Sequence, residues 1–271
     1  MSGVSAIGER MASRRGASQR SFVGVSGLLF VTGVAATVLC CTSMSTMSGM
    51  PMPGGWTMSM AWLRMCGQTW RDVAASFVGM WVVMTVAMML PSLMPMLWRY
   101  RKAVSAAGES RVAWLTVIVG AGYFAVWTAF GVLAFPLGAA LASMEMRMAA
   151  LAREVPFAVG VVVVVCGVLQ FTAWKARRLA CCRASPMCGD HMLPTSAAAW
   201  RHGVQLGLHC CYCCAGLTTI LLVTGVMDLR IMGAVTAAIT AERLLPHGER
   251  VARAIGGIAI AAAMLMLVRA L

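Results

Sequence analysis

Apolar residues along this 271-residue chain gather into runs separated by short polar stretches rich in arginine. Each run is about twenty residues, the length a helix needs to cross a hydrocarbon core of roughly 30 Å. Inside lipid, backbone groups must be paired within their own segment, so the runs are read as helices. Six are identified: Phe22–Val38, about 75–98, about 112–133, Pro156–Trp174, about 203–227 and Val251–Val268. The β-branched stretch Val159–Val165 is read as helix because of its length and polar flanks. The expected fold is all-α, a polytopic transmembrane helical bundle of about six spans in a single integral membrane domain covering residues 1–271.

Two segments depart from the simple alternation. The second span contains MMLPSLMPM, and Pro91 and Pro95 each remove a helical hydrogen bond, so this span is expected to be broken by proline. Between the last two spans, Ile231–Thr240 is apolar but short, with Arg230 before it and Glu242 and Arg243 after it. It reads as an interfacial or re-entrant helix near 229–245. A seventh crossing there is the alternative, and would send the C-terminus to the other side.

Charge supplies orientation. Arg10, Arg14, Arg15 and Arg20 precede the first span, while the connection 42–74 carries only Arg64 and Arg71. Successive connections then carry four, two and five basic residues, an alternation that the positive-inside rule produces. The N-terminus, loop 99–111 and loop 175–202 are expected in the cytoplasm, with 42–74 outside. The six-span reading puts the C-terminus in the cytoplasm too. The first run lacks a clear small-x-small cleavage site and is taken as an uncleaved helix, not a signal peptide.

The net charge of +13 resides in these short loops, with no aromatic interleaving, which argues against nucleic acid as a partner. The bilayer is the partner the composition implies; oligomeric state is not legible. No P-loop, dinucleotide fingerprint, HExxH or GxSxG elbow is present, so nucleotide-driven pumping and those kinds of hydrolysis have no support.

Candidate chemistry begins with cysteine. Seven of the eleven, Cys181, Cys182, Cys188, Cys210, Cys211, Cys213 and Cys214, fall within 34 residues. On the fifth span His202, Gln205, His209 and Cys213 share one helical stripe, and Cys210 and Cys214 form a second i, i+4 pair beside it. Imidazole and thiolate suit zinc and copper, and thiolate with thioether suits Cu(I). Packing of small thiols at a helix interface is the competing explanation. The overlapping CxxC spacings also leave thiol redox open.

Methionine supplies a second set of soft donors. Met80, Met84 and Met88 are spaced i, i+4, i+8 on the second span, at an estimated depth that matches Cys213 for Met84 and Met88. The expected site joins His209 and Cys213 to Met84 or Met88. The connection 42–74 is methionine-rich, with Met44, Met47, Met50, Met52, Met58, Met60 and Met65; its second half, Met58–Ala74, reads as a short interfacial helix. Those methionines offer either metal capture or a docking surface for another membrane or extracytoplasmic protein. The cysteine-containing loop 175–202 offers Cys182, Cys188 and His191 as zinc ligands, or merely as reduced bystanders.

The stretch Trp81–Pro95 (WVVMTVAMMLPSLMP), Trp174-Lys175 followed by Cys182-Arg183 and Pro186, and the segment Gly203–Pro246 together resemble a bacterial family of predicted metal-binding integral membrane proteins of uncharacterised function. His209, Cys213-Cys214, Gly225-Val226-Met227 and Glu242 before Leu244-Leu245-Pro246 carry the last part. Ala215 stands where the family usually has Trp, and Asp228 where it usually has Asn, so Asp228 is either an additional acidic ligand or a simple substitution. The resemblance implies metal binding and a multi-pass place in the bacterial inner (cytoplasmic) membrane. The function expected is copper handling or delivery to a partner, with zinc the second choice. A cofactor-containing membrane oxidoreductase and a non-catalytic scaffold of a membrane complex stay open.

Overall fold

A computed structural model of the chain describes residues 2–45, 49–64, 67–106, 109, 111–183 and 195–270; side chains 2–18, 44, 45, 60 and 270 are not among those described. The helices are α1 (Ser2–Ser45), α2 (Trp70–Ala106), α3 (Val112–Arg147), α4 (Ala149–Leu169), α5 (Ala173–Arg183), α6 (Ser196–Thr224), α7 (Leu229–Leu244) and α8 (Gly248–Ala270). Six contain stretches long and apolar enough to cross a membrane: α2, α3, α4, α6, Gln19–Ser43 of α1 and Gly248–Arg269 of α8. The protein is therefore a polytopic all-α bundle of about six spans, embedded in a bilayer.

The break expected at Pro91 and Pro95 is confined to the hydrogen-bond ladder. Helix α2 continues through both prolines, and the Ser92 hydroxyl donates to the Met89 carbonyl at 2.9 Å. Neighbouring helices tolerate such losses because they enclose the weakened turn. The connection 42–74 also differs from expectation. Strands β1 (Met50–Met52) and β2 (Trp56–Met58) pair antiparallel, Met50 opposite Met58. One 3-10 turn, Met60–Trp62, follows, and α2 starts only at Trp70. Proline and glycine between the strands favour the hairpin within the half expected as a loop, while the described residues of Met58–Ala74 form the 3-10 turn and the start of α2 in place of the expected interfacial helix.

Side-chain contacts fix the direction of each helix. Phe22 meets Trp98 at 6.0 Å between ring centroids and Gly33 lies against Ala87, so α1 and α2 are antiparallel. The Trp81 indole donates to the Trp127 carbonyl at 2.8 Å and Phe77 meets Phe135 at 5.3 Å, which makes α2 and α3 antiparallel. Gly203 packs on Val119 and Gly207 on Tyr123, so α3 and α6 are parallel. Gly216 faces Cys166 while Lys175, beyond the end of α4, reaches Cys213; α4 therefore opposes α6. Gly160 meets Leu267 and Gly167 meets Ile260, so α8 opposes α4.

Helices α6 and α8 thus run the same way, and α7 carries the chain back between them. Gly225, at φ +139°, ends α6. Asp228 then caps α7, its carboxylate accepting from the Arg230 and Ile231 amides at 2.8 and 3.3 Å. The 16 residues of α7 rise about 24 Å, enough to return to the depth of Cys210. Six apolar spans stand, but the two ends lie on opposite faces of the bundle, contrary to the expectation of a shared side. The charges that resemble the flank of a surface segment, Glu242 and Arg243, are in fact buried.

One face carries the hairpin, where the Trp56 indole donates to the Ala152 carbonyl at 2.8 Å. The other is rich in arginine: Arg101 lies over Phe22 at 4.6 Å and Lys102 over Trp98 at 5.4 Å, the pairing of charge and aromatic ring common at membrane interfaces. An epitope inserted at Gly55 and a tag after residue 271 are expected to be accessible from the same side, with an N-terminal tag on the other. A C-terminal tag that shares the N-terminal side would overturn the arrangement of α7.

Candidate functional site

Helix α6 approaches α3 closely because Gly122, Gly203 and Gly207 leave no side chain between them. Thr195 starts the helix by accepting from the Ala198 amide at 3.3 Å. This close crossing sets Cys210 against Tyr123, whose hydroxyl donates to the Cys210 sulfur at 3.0 Å. Cys210 and Cys214, one turn apart, place their sulfurs 3.8 Å from each other. Cys210, Cys213 and Cys214 are all at most 1% exposed.

Helix α5 folds back along α6 and adds a fourth thiol. Cys182 is buried and donates to the His209 carbonyl at 3.0 Å. The sulfurs of Cys210 and Cys214 are therefore adjacent on α6, and α5 brings Cys182 against the turn of α6 that holds His209 and Cys213. Among the described residues, no group of three or more His, Cys, Asp or Glu converges in a geometry that holds a metal ion.

Two buried cations flank the thiols. Arg243 of α7 donates to the Cys210 sulfur at 3.1 Å, the Ser92 hydroxyl at 2.9 Å and the Met96 sulfur at 3.3 Å. Among the described residues it forms no ion pair with a carboxylate, and its Nε is buried without an acceptor. Its described partners are one hydroxyl and two sulfur atoms. A buried guanidinium without a counter-charge is costly, so the arrangement favours negative charge on the thiol group.

Lys175 of α5 is different. Its Nζ pairs with Glu242 at 2.7 Å and donates to the Cys213 carbonyl at 2.8 Å. Burial alone would lower the lysine, but the Glu242 carboxylate beside it, reinforced by their hydrogen bond, holds it above the usual lysine range. Gln170, just past the end of α4, donates to the other Glu242 oxygen at 3.1 Å. These bonds tie α4, α5, α6 and α7 together directly beneath Cys213.

Of the residues picked from sequence, Cys210, Cys213, Cys214 and Cys182 are brought together. His209 is half-buried, and its Nδ1 donates to the Gln205 carbonyl at 2.7 Å. A carbonyl only accepts, so this bond fixes the tautomer and leaves the lone pair on Nε2. His202 stacks on Tyr100 at 5.4 Å, about 12 Å back along α6 from Cys210. Met84 and Met88 are buried in α2, but the thioether that reaches the thiol group through Arg243 belongs to Met96. Asp228 is a helix cap. Met50 and Met52 lie in the hairpin on the other face. The Met44 side chain, Met47, Cys188 and His191 lie outside the described residues.

Arg243, Tyr123 and Met96 are not among the site residues picked from sequence. Arg243 and Tyr123 carried signals, since a charge near an apolar run and a tyrosine within a span both need polar partners inside the bundle.

These features define a membrane-embedded helical bundle with a buried thiol group flanked by two buried cations. The family model described as a copper chaperone, PpoB2, matches residues 78–266, and the chain belongs to that family. The match spans α2 to α8 and includes every residue of the thiol group. No curated protein and no solved structure matches the chain. Family and bundle agree, in general terms, with the metal-related membrane proteins that the sequence resembles.

Proposed function

We propose that this protein carries copper as Cu(I) on the buried thiols of α6 and hands it to an apoprotein partner. The observation that carries the reading is Arg243: a buried guanidinium whose hydrogen-bond partners are a thiol, a thioether and a hydroxyl. A Cu(I) ion held by two thiolates bears one net negative charge, which one arginine balances. Soft sulfur donors select Cu(I) over hard cations. A structural zinc site needs four ligands in a tetrahedron, whereas Cu(I) is held by as few as two thiolates and the described thiol contact is the pair Cys210 and Cys214, so copper is preferred to zinc. The copper is cargo, and its buried position protects it from oxidation and adventitious ligands.

The test is metal analysis of protein purified in mild detergent after growth in copper. Cys213→Ser and Cys214→Ser are expected to lose most of the bound copper. Arg243→Leu removes the balancing charge and is expected to weaken copper binding by about 10- to 100-fold, the usual penalty for losing a partner of a metal ligand. Full copper content in both cysteine variants would refute the reading.

A further inference from the structure

We propose that copper is loaded and released through the groove between α5 and α6 on the arginine-rich face, by exchange with a Cu(I)–thiolate carrier and not through the methionine hairpin. This rests on the copper reading above and adds a route and a side to it.

A shallow cavity opens there, lined by Met96, Cys181, Cys182, Leu206, His209 and Arg243. Four of these six carry donors that suit Cu(I): a thioether, two thiols and an imidazole. Cys181 is exposed and Cys182, its neighbour, is buried, so the pair straddles the mouth. Two bonds join the mouth to the interior. Cys182 donates to the His209 carbonyl of α6 at 3.0 Å, one turn before Cys213, and Arg243 bridges from Met96 to Cys210 at 3.3 and 3.1 Å. His209 contributes the Nε2 lone pair that its bond to Gln205 leaves free of a proton.

The rim has the charge an anionic carrier needs. Arg99 donates to the Arg183 carbonyl at 3.2 Å, and Arg178 lies over Trp174 and Tyr212 at 5.7 and 5.2 Å. A Cu(I) complex with two thiolates is negatively charged and would be drawn to these guanidiniums. The opposite route is obstructed. Toward the hairpin, Trp62 of the 3-10 turn packs with Phe77, Trp81, Phe130 and Phe135 of α2 and α3 in an aromatic layer with centroid separations of 4.7–6.1 Å.

Transfer needs no redox partner. One Cu–S bond to the carrier breaks as one forms to a thiolate of the mouth. The proton of that thiol passes to the departing carrier thiolate, and copper remains Cu(I). Repetition of the step from Cys181 to Cys182 and on to Cys213 moves the ion inward.

The experiment uses the full chain in proteoliposomes of known orientation, with Cu(I)–glutathione as the probe, and measures both the rate of loading and the final copper content. Loading is expected only when the arginine-rich face is presented. Cys181→Ser and His209→Ala are each expected to slow it by about 10-fold, a modest rise in a ligand-exchange barrier. The exposed position of Cys181 makes its variant safe for the fold. Met50→Leu in the hairpin is expected to load at the wild-type rate. Loading from the hairpin face, or wild-type rates in both groove variants, would overturn the route. If Cys213→Ser still lowers final copper content in that case, the copper reading survives and the route alone fails. Undiminished copper in Cys213→Ser would remove both.

Discussion

Glu242→Gln is expected to destabilise the protein by about 3–5 kcal/mol, the cost of leaving one member of a buried ion pair without its partner. Lys175 and Glu242 are 5% and 1% exposed at their side chains and stand 2.7 Å apart. The substitution leaves the ammonium in the bundle without a counter-charge, with only neutral acceptors, the Cys213 carbonyl and the new amide oxygen, in place of the carboxylate. Because Glu242 also receives Gln170, the loss loosens the end of α4 and the α5 segment that carries Cys182. Thermal unfolding in detergent, followed by circular dichroism, measures the effect. A double variant, Lys175→Met with Glu242→Leu, is expected to recover most of the loss, since apolar side chains of similar volume replace a buried pair at little cost. A double-mutant cycle then isolates the pair from its surroundings. Wild-type stability in Glu242→Gln would mean that water reaches Lys175 and that the four helices are held by other contacts.

The number and type of the spanning helices were legible because lipid leaves so few solutions for an apolar run of that length. The return through α7 was legible only as one of several alternatives. Arg230, Glu242, Arg243 and the short apolar core pointed to an interfacial or re-entrant helix near 229–245, with a seventh crossing as the alternative, and left the choice between them open. Glu242 is neutralised by Lys175 and Gln170, and Arg243 is held by sulfur and hydroxyl groups, so both charges stay inside. Periodicity cannot reveal such partners, because Lys175, Gln170 and Ser92 lie 67, 72 and 151 residues from theirs.

The cysteine group was legible in part. Helical spacing put Cys210 beside Cys214 and Cys213 in line with His209. It could not show that α5 would fold back to bring Cys182 against the turn of α6 that holds His209 and Cys213. Depth matching pointed to Met84 and Met88, yet matching depth fixes only one coordinate of position. Helix α7 packs against both α2 and α6, and the Arg243 side chain it delivers reaches Met96.

The spacing Gly203-x3-Gly207, by contrast, was in plain view and decides the geometry of the thiol group. Gly203→Ala is expected to cost about 3 kcal/mol, the upper part of the usual range for overpacking. A Cβ at Gly203 would collide with the backbone of Val119, coming within 2.9 Å of its carbonyl carbon and closer still to the oxygen. Backbone cannot rotate aside as a side chain does. Gly122, 2.7 Å from the Trp200 carbonyl by the same construction, and Gly207, 2.9 Å from that of Tyr123, show that the whole crossing is at its limit. Helices α3 and α6 would have to separate, and the bond from Tyr123 to Cys210 would be lost with them. The variant is therefore expected to lose copper as well as stability, although Gly203 carries no donor. Gly216→Ala on the same helix is the matched control, because its Cβ would meet nothing nearer than 3.6 Å. That substitution is expected to be neutral, or to stabilise by up to about 1 kcal/mol through helix propensity. Thermal unfolding and copper content measured on the two variants separate close packing from mere loss of glycine. Equal behaviour of the pair would show that α3 and α6 do not meet as closely as their glycines allow.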